Sequence, residues 1–349
     1  MIALSFIHTS DRNDRAIGLW LLGVAGLVLA MILLGGVTRL TQSGLSMVDW
    51  KPLTGFIPPL SLEAWQAEFL AYKQYPEYKL INKGMALDEF KSIFWWEFSH
   101  RVLGRIIGLA FFIPMVLFWT RGRVRPRIKP KLVGLLILGG LQGLMGWYMV
   151  KSGLVHEPEV SHLRLTAHFM LAVVIIWALS WTALSLLRPY GVFRGREGRS
   201  IWHWSRVFFC LVLLQLALGA LVAGLKAGRG YNTWPLMDGS FIPDGLFLVD
   251  PWWSNFLDNP LTVQFDHRMV AYLVFLVGVG LFIKLLSARA PARLKSAGMF
   301  LLFALVLQMG LGIYTLLEAV PLALGVLHQA GGMLVLLSAI VFAHECRRN

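Results

Sequence analysis

The stretch Glu97-Phe98-Ser99-His100-Arg101 opens an apolar run to Trp119, and its pattern returns as Gln264-Phe265-Asp266-His267-Arg268 ahead of an apolar run to Leu286. A helix needs about 20 mostly apolar residues, at about 1.5 Å each, to cross a bilayer. Each run therefore reads as a membrane helix with a histidine near one end, and the recurrence reads as one helical unit used twice.

Six further stretches qualify, giving eight spans near Ala16–Val37, Phe98–Trp119, Leu132–Val150, Leu165–Leu187, Val207–Leu225, Phe265–Leu286, Ala297–Leu317 and Ala319–Ala343. The last two are joined by a tight turn at Glu318 to Pro321. Composition agrees: 57% of the 349 residues are hydrophobic and 15% charged, against about 25% charged in soluble domains. The first span follows Arg12 and Arg15 but is too long for a signal peptide and lacks a small-x-small cleavage site, so it reads as a retained helix. Asp11 and Asp14 argue against a mitochondrial transit peptide, which leaves a bacterial cytoplasmic (inner) membrane as the expected location.

Lys and Arg outnumber Asp and Glu by 32 to 19, a net charge of +13. Nucleic-acid binding would need that excess on one face of a soluble fold. Here it gathers in short links: six basic residues in Arg121–Lys131, then Arg188, Arg194, Arg196, Arg199 and Arg206, then Arg289, Arg293 and Lys295. Basic links mark the cytoplasmic side. The excess is thus an orientation signal: both termini are expected in the cytoplasm, with two long loops outside, near Thr38–Glu97 and Lys226–Asp266. In the first loop Leu62, Trp65, Phe69 and Tyr72 recur at helical spacing. That helix could lie on the outer membrane surface or pack on the spans.

Beyond the opening motif, Gln142-Gly-Leu-Met-Gly146-Trp-Tyr148 matches Gln308-Met-Gly-Leu-Gly312-Ile-Tyr314, and Trp50-Lys-Pro-Leu-Thr-Gly55-Phe-Ile-Pro58 echoes Trp234-Pro-Leu-Met-Asp-Gly239-Ser-Phe-Ile-Pro243. A four-span unit returns the chain to its starting side. The expected fold is therefore an all-α membrane protein of two pseudo-twofold-related four-helix bundles, residues 1–190 and 191–349.

A heme site expected in each bundle rests on His100, His168, His267 and His328, the four of nine histidines that fall inside spans. Each lies in an even-numbered span near its outer end. Intramembrane histidines generally face the interior of a bundle. Two on opposing helices can hold a heme iron from both sides, His100 with His168 and His267 with His328; the alternative is hydrogen bonding between helices. Gly139, Gly140, Gly143 and Gly146 would let backbones approach. His8, His203 and His344 fall at the inner side, and His156 and His162 in or beside an outer loop, so these five read as solvated or interfacial. With Cys210 and Cys346 alone, the chain can build no Cys-x-x-Cys-His heme attachment.

The copies differ where it matters chemically. Glu97 and Gln264 each stand three residues before a histidine, on the same helix face. A carboxyl facing an apolar membrane pocket is costly to keep charged and suits proton exchange, which Gln264 cannot perform. The first half reads as reactive and the second as an electron-transfer site. The competing reading pairs Glu97 with Arg101 at the membrane surface. Arg39, Arg101, Arg164, Arg229 and Arg268 sit near outer span ends, where they could meet heme propionates.

Gly-Gly-Val-Thr-Arg39-Leu-Thr-Gln-Ser-Gly-Leu-Ser-Met-Val-Asp-Trp50, Glu97–Arg101, Gly143–Gly153 and Phe265–Arg268 together resemble segments of the heme A synthase family over nearly the whole chain. The long first loop without a cysteine pair is similar to the branch shared by alphaproteobacteria and mitochondria. The resemblance implies an oxidoreductase of heme A biosynthesis and cytochrome oxidase assembly. It would bind heme O near His100 and His168, with Glu97 essential, and a heme b cofactor between His267 and His328. The methyl group at porphyrin carbon 8 would be hydroxylated twice and dehydrated to a formyl group, with oxygen from water. Thiol chemistry would play no part. Implied partners are heme O, the farnesyltransferase that makes it (heme O synthase), the bilayer and an unnamed electron acceptor; a second copy of the chain is a further candidate, and nucleic acid is not. The competing classes are a diheme cytochrome b that only carries electrons and a transporter without heme.

Overall fold

The protein, seen in a computed structural model, is described for residues 2–49, 55–153, 159–188, 193 and 195–347, with side chains except at 2–11 and 152–153. Eight long helices carry the chain: α1 (Ile2–Leu40), α4 (Leu87–Thr120), α5 (Lys129–Gly153), α6 (His162–Leu187), α7 (Gly195–Gly224), α9 (Pro260–Ser287), α10 (Ala292–Leu317) and α11 (Leu322–Cys346). Three short helices, α2 (Leu62–Tyr72), α3 (Pro76–Leu80) and α8 (Asn255–Asp258), lie in the two long loops. Among the described residues there is no strand, only an isolated bridge between Met237 and Ser240. Each long helix contains a segment apolar enough to cross a membrane, so the chain is an all-helical, multi-pass membrane protein. The motif residues Trp50 to Thr54, His156, Arg194, the 190/191 boundary and the side chain of His8 fall outside the description.

Helix ends differ from the sequence boundaries for local reasons. α4 starts eleven residues before Phe98, where Ala86 N donates to the Glu89 carboxylate at 2.8 Å and caps a polar first turn. α7 starts in the charged segment Gly195–Arg206, which a search for apolar runs passes over. α11 begins at Leu322 rather than Ala319, because Ala319 and Val320 adopt left-handed φ of 55° and 62° and Pro321 caps the next helix.

In the first half α1 packs on α4 and α6, and α5 packs on the same two, so α4 and α6 occupy opposite corners. In the second, α7 and α10 each pack on α9 and α11, which are again opposite. The halves meet where α6 touches α7 and α11 and where α1 touches α11. Gln329 on α11 donates to the Ile32 carbonyl of α1 at 2.9 Å across that seam. Half of the apolar stretch of α6 and 56% of that of α11 are buried, against 6% for α5, so α6 and α11 form the interior and α5 faces outward.

Ion pairs tie the two ends. At one, Asp14 meets Arg125 at 3.0 Å, and buried Glu345 takes Arg188 at 3.0 Å and Arg293 at 2.5 Å. At the other, Glu159 meets Lys226 at 2.5 Å and His162 meets Asp258 at 2.9 Å. His344 is a correction to the sequence reading: it is 2% exposed, beside Trp181, Ser185 and Arg347, because α11 runs through the interior up to its last turn. His203 is exposed as expected.

The helix α2 packs on α4. Phe69 stacks on Phe90 at 4.9 Å, Trp65 meets Phe94 edge-on at 4.9 Å, and Tyr72 is fully buried. Of the two readings of this helix, the packed one is observed, because the aromatics at 65, 69 and 72 share one face and meet an aromatic row at 90, 94 and 98.

Candidate functional site: four histidines on four glycines

His100 and His168 come from the opposed helices α4 and α6, near enough to interact electrostatically. His267 and His328 come from α9 and α11, with ring centroids 6.5 Å apart and planes at 84°. Two metal–imidazole bonds of about 2 Å plus half a ring on each side give a separation of roughly 6 Å. The separation of the second pair is close to that sum. Among the described residues no three His, Cys, Asp or Glu side chains cluster as a bare-ion site would require.

Each imidazole rests on a glycine of a neighbouring helix. A methyl group added at Gly146, Gly219 or Gly312 would stand 3.1, 3.1 or 2.8 Å from Cε1 of His168, His267 or His328. At Gly35 it would stand 3.5 Å from Nε2 of His100. Gly146 was expected to allow close approach, and its neighbour proves to be an imidazole. The other three glycines show the same device at each of the other three site histidines.

Three of the four seats add a glutamine one helical turn before the glycine. Gln142, Gln215 and Gln308 donate from Nε2 to the backbone carbonyls of His168, His267 and His328 at 3.2, 3.1 and 3.0 Å. The same nitrogens lie 3.3, 3.1 and 3.1 Å from Nδ1 of those rings. Among the described residues the amide oxygen of each of the three is buried without a partner. Sequence comparison brought out Gln142 and Gln308 as repeat residues without a role and missed Gln215. The spacing Gln-x-x-x-Gly, present three times, was the available signal.

Glu97 is 3% exposed, and its carboxylate is fully engaged. Arg101 Nη2 donates to Oε1 at 2.5 Å, while Ser46 Oγ and Met47 N donate to Oε2, both at 2.7 Å. The pairing with Arg101 is therefore present, but inside the protein rather than at its surface. Arg101 also donates to the carbonyls of Met47 at 2.7 Å and Asp49 at 2.9 Å, which pins the chain leaving α1 onto α4. The second half repeats the clamp: Arg268 donates to Tyr231 at 2.7 Å and Thr233 at 2.8 Å. There Gln264 donates to the Tyr231 carbonyl at 3.3 Å, and among the described residues its Oε1 has no partner.

The remaining outer arginines divide. Arg39 donates to Gly224 at 2.8 Å, and Arg164 lies over the Tyr148 ring at 4.9 Å. Arg229 is exposed in a short 3-10 turn. In the first loop, above these elements, buried Glu77 accepts from Tyr72 at 3.1 Å, and Asn82 donates to Tyr72 at 2.7 Å. Burial pushes the Glu77 carboxyl up to about 8, with the Glu97 and Glu159 charges adding to the rise and Lys226 opposing it.

The model of the Cytochrome oxidase assembly protein family, COX15-CtaA, matches residues 18–340. The chain belongs to this family. A heme A synthase of Parvibaculum lavamentivorans is 50% identical to this chain over 345 residues, 98% of this chain and 97% of its own. The protein of the same name from Nitrosospira multiformis is 48% identical, covering 99% and 100%, and that of Rhizobium meliloti 47%, covering 97% and 91%. The family match spans both histidine pairs, Glu97 and all three glutamines.

Proposed function

We propose that this protein is a heme A synthase that oxidises the carbon-8 methyl group of heme O to a formyl group through two hydroxylations, with water as the oxygen source. Near-full-length relatives at about half identity carry that name. Within the molecule, the observation that supports the reading best is the repeated histidine pair with one chemical contrast, Glu97 against Gln264.

In this reading residues 1–190 and 191–349 form two four-helix bundles. The first receives heme O between His100 and His168, and the second holds heme b between His267 and His328. The glycine seats and the 6.5 Å spacing fit imidazoles carrying a planar macrocycle. Heme b held by His267 and His328 would supply a one-electron relay.

The chain's own residues do the rest. Glu97, positioned by donors from Arg101, Ser46 and Met47, is the proton acceptor for water and methyl hydrogens. Arg101 fixes both that carboxylate and the loop over it. Turning a methyl group and water into a formyl group releases electrons and protons together, so each half supplies one outlet. The second half would pass the electrons on to an acceptor outside the chain. Basic links set the orientation, with both termini in the cytoplasm of a bacterial inner membrane and the histidines towards the outer side. Heme O is strongly apolar, so its farnesyltransferase is the natural donor by direct handover within the membrane.

The test is to purify the protein from cells that make heme O and to analyse extracted hemes by chromatography and mass. Heme O, its hydroxylated form and heme A are expected alongside heme b. Bound heme that is never hydroxylated would instead indicate a diheme electron carrier.

A further inference from the structure

Beside Glu97 lies a cavity of about 210 Å³, walled by α4, the chain just past α1, the turn around Gly55 and the helix α2. Among the described residues no part of α5 or α6 lines it, so it is not the space between His100 and His168. Its link to the site is the Glu97 clamp. Arg101 and Met47, two of the three residues that donate to the carboxylate, both form part of its wall.

The walls are mixed. Phe94 and Phe98 supply apolar surface, whereas Arg101, Arg105, Asp49 and Glu68 bring two charges of each sign. A void with several polar partners and more than about 30 Å³ per molecule takes up water, while an apolar void stays dry. With its charges balanced, the cavity offers no net attraction to a carboxylate such as a heme propionate. The second half departs at one of these charges. At the position of Arg105 stands Tyr272, whose hydroxyl accepts from Trp234 Nε1 at 3.0 Å and ties the echoing loop to α9. Arg105 instead has the Phe56 ring over its guanidinium at 5.3 Å. Ile57, 70% exposed, stands at the rim and places it at the surface of the first long loop.

We propose that this cavity is the water store of the first half, from which Glu97 draws the oxygen source and into which it discharges protons, with Arg101 bridging the two. The inference rests on the hydroxylation reading given above. Each hydroxylation takes one water and releases two protons together with two electrons, the electrons leaving by way of the second half to its acceptor. Water must therefore reach the Glu97 carboxylate twice for each formyl group, and the protons must leave it without crossing the bilayer core.

The experiment is hydroxyl-radical footprinting of the purified full-length protein with its hemes, read by mass spectrometry, because radicals formed from enclosed water oxidise the side chains beside it. Phe94 is 1% exposed and lines the cavity; Phe90, one turn earlier on α4, is 0% exposed and does not. Phe94 and Phe98 are expected to oxidise several times faster than Phe90. Ala64→Leu fills the cavity from α2. It should bring both rates down to that of Phe90 and slow conversion of heme O about tenfold or more, with both hemes retained. Where Ala64→Leu does not keep heme b, Ala64→Val makes the same comparison. Wild-type Phe94 and Phe98 as protected as Phe90 would overturn the proposal without recourse to any variant. So would a filled, dry cavity in protein that converts heme O at the wild-type rate. Loss of heme O alone from the filled variant would make the cavity a propionate site and overturn it too. In these three cases wild-type protein still converts heme O and the function stands; wild-type protein whose bound heme is never hydroxylated would overturn both.

Discussion

Glu97 and Glu77 are both buried acids, yet their surroundings differ. Glu97 is surrounded by an arginine and two further donors, whereas buried Glu77 takes one hydroxyl donor, from Tyr72. The folded-state pKa of Glu77 is raised to about 8, so the folded loop binds a proton that the unfolded loop releases above the ordinary carboxylate range near 4.3. The stability this contributes is complete below about pH 4 and is lost as pH rises through about 8. Protease resistance of the first outer loop should therefore fall between pH 6 and pH 9, and Glu77→Gln should flatten that dependence. A wild-type loop equally resistant across the range would contradict the assignment. Sequence reading left Glu77 unremarked, since a glutamate in a loop gives no sign of burial until Tyr72 and Asn82 close over it.

At the level of helices, the glycine seats make a graded prediction. Gly312→Ala places a methyl 2.8 Å from the His328 ring and Gly219→Ala one 3.1 Å from His267, too close without displacement, while Gly35→Ala meets His100 at an ordinary 3.5 Å. Overpacking of this kind costs about 1–3 kcal/mol. The first two variants should lose or shift the low-spin heme b spectrum, with Gly312→Ala the more affected, and Gly35→Ala should keep it. The eight spans were legible because an apolar run is a one-dimensional signal. The extra turns of α4 and α7 were not, since their first residues are polar and stand beyond the apolar core. Gln215 escaped because the repeat was aligned through α5 and α10. The contact it makes depends on the register of α7 against α9, which no single segment encodes.

Over the whole molecule, duplication supplies a frame and a few substitutions give it direction. Arg101 and Arg268 clamp equivalent loops, and four glycines seat four histidines, so the two halves share their mechanics. Glu97 for Gln264 and Arg105 for Tyr272 are departures, and both charges fall in the first half. The pairing of histidines and the Glu97 contrast could be read from the repeat itself. That Glu97 is clamped, that His344 is interior and that three glutamines back three histidines emerged only from packing.

The division of labour is tested most directly by the hemes extracted from Glu97→Gln protein, which gives the first half the residue found in the second. Both hemes should remain bound, and formation of hydroxylated heme O and heme A should fall by about 10²-fold or more, the usual contribution of a positioned acid or base. Heme A formed at the wild-type rate would contradict the assignment of Glu97 as the group that makes one half reactive.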